Sequence, residues 1–317
     1  MISGRTILKH LRNIEKYLGQ FRYSESVHFE NIIGLALSKA LYLPFYTREN
    51  DDENVLHKVV WQGSDQSGSL VKAPAGKSDI IAYCYSFFLV VEVTRKTGSG
   101  QWTDEFAQAV RHCSDFVRTN GIEPNKVYII LITTKLHKDT YFSLRNYPGR
   151  KYRFVPIETD VLIRILQTAI MALTIRHFEL RTILNKIPEC LKNSSSLSNF
   201  RIILNEELEN WQKQVLRREK RAFIGIKSYE AMRRNPRTAV AVSEILQKLL
   251  RHPFVGQYLK ILEEELNPSE IEKALIEESL CCCAGKTIQT DEFLFECVPC
   301  TDFKGRGLRF INAIENA

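Results

Sequence analysis

Several absences narrow the reading of this chain before anything present is weighed. No uninterrupted apolar run is long enough to span a bilayer, and the longest, Val127 to Ile132, has the length of a buried strand. Met1 to Arg12 shows no cleavable leader. The eight cysteines (Cys84, Cys113, Cys190, Cys281, Cys282, Cys283, Cys297 and Cys300) are irregularly spread, which together predicts reduced thiols and a cytoplasmic protein. No internal repeat is visible. Ala284-Gly285-Lys286-Thr287 ends like a phosphate-binding loop but lacks the earlier glycine and the preceding strand. No G-x-S-x-G elbow supports a Ser/His/Asp hydrolase. Cys297-Val298-Pro299-Cys300 has no matching C-x2-C pair upstream and no nearby histidine, so buried free thiols are a better expectation than a zinc site.

What is there is an ordinary globular composition. The chain has 317 residues, 44% hydrophobic and 26% charged, with material for two domains. The formal net charge is +7, and its location matters more than its size. Lys213, Arg217, Arg218, Lys220, Arg221, Lys227, Arg233, Arg234 and Arg237 face only Glu219 and Glu230 within Lys213 to Arg237, so one stretch carries the whole excess. Such a cluster attracts a polyanion by counterion release, and a solvated helix face is the competing reading.

The chain order is legible from periodicity. Ile32, Ile33, Leu35, Leu37, Ala40 and Leu41 recur at helical spacing within a helix over Ser26 to Leu43, closed by Pro44. Lys58 to Trp61 is a short strand in an otherwise irregular stretch. Asp79 to Ala82 and Phe87 to Thr94 form an antiparallel pair, a helix follows over Thr103 to Val117, and Lys126 to Thr133 is another buried strand. This order predicts an α/β core with a mixed central sheet flanked by helices, over residues 1–160. Residues 161–317 read as mainly helical: Leu162 to Leu191, a break at Ser194 to Ser198, helices over Asn199 to Leu266, and one over Pro268 to Leu280. A β element over Thr287 to Val298 after that last helix makes a winged-helix-like ending one reading.

Chemistry concentrates where Lys77-Ser78-Asp79 opens one strand and Val91-Glu92-Val93-Thr94 lies in the next. Glu92 interrupts an apolar strand, and a buried carboxylate without compensation costs several kcal/mol. A structural ion pair with Lys77 or Arg95 would compensate it; so would a divalent cation shared with Asp79. Hard oxygen ligands suit Mg²⁺ or Mn²⁺, which can activate water against a phosphodiester.

Gly76 to Ile81, Phe88 to Thr94, Gly98, Gln101-Trp102, Glu105 and Arg111-His112 together resemble the cleavage domain of AlwI-type restriction and nicking endonucleases, a group within the PD-(D/E)XK nuclease superfamily that is related to type IIS enzymes. The resemblance implies a nuclease core in which Asp79, Glu92 and the Val93 carbonyl hold Mg²⁺, with Mn²⁺ as a substitute. It also implies site roles for Glu30 on the first helix and for Glu105 and His112 on the helix after the hairpin. Glu105 and His112 are seven residues apart, close to two helical turns, so both would project from one face with Gln108 between them.

The superfamily's lysine two residues after the glutamate is Thr94 here. His112, as general base or phosphate-facing donor, is the expected replacement, and Lys96 a weaker one. The implied function is Mg²⁺-dependent hydrolysis of double-stranded DNA, as a type IIS restriction or nicking endonuclease or the cleavage subunit of one. A homodimer or a partner subunit would serve the second strand. The C-terminal region would bind DNA or a partner through Arg217, Arg218, Lys220, Arg221, Arg233 and Arg234. Two alternatives stand beside this: a noncatalytic DNA-binding protein with a decayed nuclease fold, and a repair-type nuclease.

Overall fold

The computed structural model describes residues 23–41, 43–47, 53–61, 77–147, 152–172, 175–232, 240–277, 287–289, 293–300 and 305–313. They divide into two compact units, residues 1–170 with 174–211, and residues 171–173 with 212–317. The expected boundary at 160/161 therefore differs from the observed one. The chain beyond 160 still packs on the sheet, because it buries Leu180, Ile183, Leu184 and Ile187 at helical spacing.

The first unit is built on a six-stranded mixed sheet, in spatial order β1 (Phe45–Thr47), β2 (Lys58–Trp61), β3 (Ile80–Tyr83), β4 (Phe88–Thr94), β5 (Val127–Thr133) and β6 (Arg153–Glu158). β2, β3 and β4 pair antiparallel, while β1–β2, β4–β5 and β5–β6 pair parallel. β5 is buried at every position, as expected of a central strand covered on both faces.

Helix α1 (Tyr23–Leu41) buries Phe29, Ile32, Ile33, Ala36, Leu37 and Ala40. Gly34 lets it approach closely: a Cβ there would meet the Phe45 ring at 2.7 Å, and Phe45 in turn stacks on Trp61. The expected helix over Thr103 to Val117 is divided. A π-helical turn over Gln101–Phe106 leads into helix α2 (Ala107–Asn120), which ends at Gly121 in the left-handed conformation, its N–H donating to Val117 O. On the far side of α2 from solvent, Phe116 meets Tyr83 and Phe88 edge to face, which lays the helix across the β3–β4 pair.

Helix α3 (Lys138–Arg145) follows β5, and α4 (Thr159–Met171) follows β6. The single long helix expected over Leu162 to Leu191 is interrupted. After α4 the chain bends, and α5 (His177–Asn193) starts afresh where the Glu179 carboxylate reaches back to accept the Arg176 N–H at 2.8 Å. Apolar periodicity runs through the break, which is why it reads as continuous in sequence. A short break at Ser194 to Ser196 precedes α6 (Leu197–Met232), and the boundary between the units falls within that helix.

The second unit contains the later part of α6 with α7 (Val242–Leu250), α8 (Pro253–Leu262) and α9 (Pro268–Glu277). Phe223 stacks on Tyr258 at 4.3 Å, and the Tyr258 hydroxyl donates to Leu216 O. The expected β element near Thr287 is larger than anticipated. β8 (Thr287–Gln289), β9 (Phe293–Cys300), β10 (Gly305–Ala313) and β7 (Val240–Ala241) form an antiparallel sheet in the order β7-β10-β9-β8. Among the described residues, no helix is long and apolar enough to cross a membrane.

Candidate functional site

Register places the two expected carboxylates together. Ile80 opposes Val91 in the antiparallel β3–β4 pair, so the residues one step outward, Asp79 and Glu92, also oppose each other and share a face of the sheet. That face carries Ile81, Tyr83, Phe88 and Val90, the surface on which α2 lies. Asp79 is half-buried, and its Oδ2 accepts the Val93 N–H at 2.8 Å, which clamps the start of β3 to the end of β4.

Glu92 is buried in β4, and its Oε1 lies 2.8 Å from Nδ1 of His112 on α2, also buried. Neither Lys77 nor Arg95 is its close partner; the imidazole is. Burial, followed by the negative charges of Glu105 and Glu30, pushes the Glu92 carboxyl well above the usual carboxylate range, and Arg111 opposes the shift. The carboxyl groups of Glu30 on α1 and Glu105 in the π-turn therefore both act on the buried Glu92 in β4. Glu30, for which the resemblance implies a site role, is buried on α1, and its charge acts on Glu92.

Glu105 sits within the π-turn and His112 within α2, so the two do not follow the uninterrupted α-helical spacing expected of them. Gln108 is exposed, outside the site. Lys96 is a correction to the sequence reading. It lies beyond the end of β4, and its ammonium is held by Asp104 at 2.8 Å and Glu105 at 3.0 Å, so it cannot stand on the strand face beside Glu92. Thr94 is buried, with its Oγ1 accepting the Lys96 N–H.

One residue carries a role that sequence reasoning did not assign. Gln101 is fully buried, and its Nε2 lies 2.8 Å from both Thr133 Oγ1 and Lys135 O and close to Lys96 O, while its Oε1 accepts the His137 N–H at 2.9 Å. It ties the chain leaving β4 to the chain leaving β5, and so fixes where the π-turn and Glu105 begin. A buried glutamine after two glycines at the mouth of a helix was the available signal. Beside His112, Lys77, Ser78, Tyr83 and Asp115 line a cavity of about 210 Å³.

As side chains stand, no three His, Cys, Asp or Glu among the described residues form a ready-made metal cage. The chemistry of the donor set nevertheless suits a hard divalent cation. Asp79 and Glu92 share a face, and added positive charge would relieve the mutual repulsion of Glu30, Glu92 and Glu105.

Several cations of the basic stretch have acidic partners. Lys220 is bound by Glu264 at 2.5 Å and Glu270 at 2.6 Å, Arg217 approaches Glu264 at 3.5 Å, and Arg218 pairs with Glu219. Lys213 pairs with Glu263. Acidic residues more than forty positions later in sequence thus take up much of this charge. Arg221 is exposed, while Arg233 and Arg234 lie outside the described residues, as do Cys281, Cys282 and Cys283. Cys84, Cys113 and Cys190 are buried free thiols.

Residues 50–165 match the AlwI restriction endonuclease family. The AlwI segment includes Asp79, Glu92, Glu105 and His112 and extends through β6 into α4; Glu30 on α1 precedes it. Among solved structures, the chain is similar to the small subunit of the heterodimeric restriction endonuclease R.BspD6I, with 17% identity over 67% of this chain and 97% of that one and a TM-score of 0.44. No curated protein matches the chain in sequence.

Proposed function

We propose that the sheet unit is the cleavage module of a restriction-type DNA endonuclease of the PD-(D/E)XK class, dependent on Mg²⁺ with Mn²⁺ as a substitute. The observation that supports it most is Glu92, a carboxyl group buried in the central strand, opposite Asp79, bonded to His112 and crowded by two further carboxyl groups. A purely structural strand has no use for that arrangement. Burying polar groups and like charges together lowers stability, and such costs collect at functional sites.

Asp79, Glu92 and the carbonyl of Val93 would hold the cation. When bound, it would supply Lewis-acid activation of water and neutralise charge developing on the phosphate. The chain's own residues do the rest. His112 orients Glu92 through its Nδ1 bond, and its imidazole has the chemistry to accept or donate a proton. Thr94 occupies the position of the superfamily lysine and has no charge to contribute, and His112 is the basic side chain bonded directly to Glu92. The match to a restriction endonuclease family favours double-stranded DNA as substrate over other phosphodiesters.

The test is nicking of supercoiled plasmid with Mg²⁺. Asp79→Ala and Glu92→Ala should each lower the rate at least a hundredfold while circular dichroism stays unchanged. Undiminished cutting by either variant rejects the ligand assignment. Wild-type protein that binds DNA without cutting in Mg²⁺ or Mn²⁺ would make the unit a noncatalytic DNA-binding module.

A further inference from the structure

We infer that a second site on the sheet unit, a cleft at the β6 edge, binds a nucleic-acid strand outside the cleavage centre. The inference rests on nucleic acid being the substrate of this unit. The cleft has a volume of about 640 Å³, within the ~300–1,000 Å³ range of ligand-binding pockets. Arg145 at the end of α3, Tyr147 just beyond it, Arg153 from β6, and Asn185, Glu189 and Lys192 from α5 line it.

Charge is the first argument. Three cations meet one carboxylate, and that carboxylate, Glu189, is engaged by Lys186 at 3.2 Å. Among the described residues, neither Arg145 nor Lys192 makes an ion pair. Contrast Lys220 in the second unit, whose charge is consumed by two glutamates. Positive charge left unneutralised in a concave surface focuses an attractive field on an anion.

Preorganisation is the second. The Arg153 guanidinium is held over the Tyr128 ring at 5.3 Å, with Nη1 donating to the Tyr128 hydroxyl at 2.6 Å and to Asn185 Oδ1 at 3.0 Å. Both bonds use one nitrogen of a group with five N–H donors, so a fixed cation keeps donors for a ligand. Nearby, the half-buried Tyr147 ring is braced edge-on against Phe106 at 4.9 Å. A fixed cation beside a fixed aromatic ring is what a nucleic-acid strand uses, a phosphate on the first and a base on the second. An acidic peptide would match the charge and leave the ring idle.

Position is the third. Arg153 is in register with Tyr128 and Leu89, three residues before Glu92 along the strands and two strands across. At about 3.3 Å per residue and 4.8 Å per strand, the backbone positions are about 14 Å apart. In that register Leu89, Tyr128 and Arg153 belong to the face opposite Glu92, so the cleft at the β6 edge is a site distinct from the carboxylate site.

The experiment measures binding of a short fluorescein-labelled DNA strand, and of its duplex, to the full chain by anisotropy, in EDTA and over a range of salt. The Arg145→Ala/Lys192→Ala variant should weaken binding several-fold and lower the log–log salt slope by about one to two. Arg145→Glu/Lys192→Glu should weaken it further, and Tyr147→Leu should weaken the single strand while leaving the salt slope unchanged. Unchanged affinity and slope in the glutamate pair, with unchanged circular dichroism, overturns the inference. So does displacement of the strand by polyglutamate as effectively as by unlabelled DNA. EDTA withholds any divalent cation, so this assay reads binding and not cleavage. Failure of plasmid nicking together with a positive result here would therefore reject the cleavage reading alone.

Discussion

Glu92 shows at the residue scale how a functional group costs a fold stability. Its carboxyl is buried, shares a bond with His112, and is disfavoured as an anion by Glu105 and Glu30. Glu92→Gln keeps the shape and the capacity to hydrogen-bond while removing the titrating group. In metal-free buffer near neutral pH it should raise Tm by about 2–4 °C, the effect of roughly 1 kcal/mol in a large domain. The same variant should lose nicking. A Tm equal to or below that of wild type would mean that the buried carboxyl is not a stored cost. Glu92 was legible in sequence because an acid inside an apolar strand demands a partner. The identity of that partner was not, since Lys77 and Arg95 are its neighbours in sequence and His112 is its neighbour in space.

Among elements, the junctions decide more than the helices and strands themselves. The π-turn between β4 and α2 advances the helix relative to a regular α-helical start, and Gln101 holds that junction to the ends of β4 and β5. Gln101→Ala should destabilise the protein by about 1–3 kcal/mol in urea unfolding, because buried groups would lose their partner. A change below the error of the measurement would show that water replaces the amide. The antiparallel β3–β4 pair and the buried β5 were readable because period-two and continuous apolar runs are local signals. The interruption between α4 and α5 was not, since the apolar stripe continues through it.

In the second unit, the link from α6 to the α8–α9 connection is electrostatic. Hydrogen bonding to Lys220 comes first among the causes that hold the Glu264 carboxyl below the usual carboxylate range. A depressed folded-state value contributes stability that is fully present above the ordinary carboxylate pKa and is lost as pH falls through the lowered one. Lys220→Met should therefore lower Tm at neutral pH, and the difference from wild type should shrink as the pH falls below about 4. A difference independent of pH would assign the loss to packing of the lysine stem instead.

For the whole molecule, the described residues of one chain present one such carboxylate site. Supercoiled plasmid should accordingly pass to the nicked circle first, with linear product appearing only as protein concentration rises or a partner subunit is added. Linear product formed without a nicked intermediate at low concentration would require two sites acting together. The expected division at 160/161 fell short of the observed one because α5 carries its own apolar stripe onto the sheet, and a change in helix content does not mark where a core ends.

Sequence alone determined the strand pair that brings Asp79 opposite Glu92, the helix that follows it, and the resemblance to a restriction endonuclease cleavage domain. These depend on alternation, spacing and short motifs, all of which are local. Only the tertiary structure decided that His112 bonds Glu92, that Lys96 is captured by Asp104 and Glu105, that Lys220 is neutralised by distant glutamates, and that Arg145 and Lys192 are not. A charged side chain's partner is set by which elements pack together, and electrostatic energy depends on distance through space, which the order of residues along the chain does not contain.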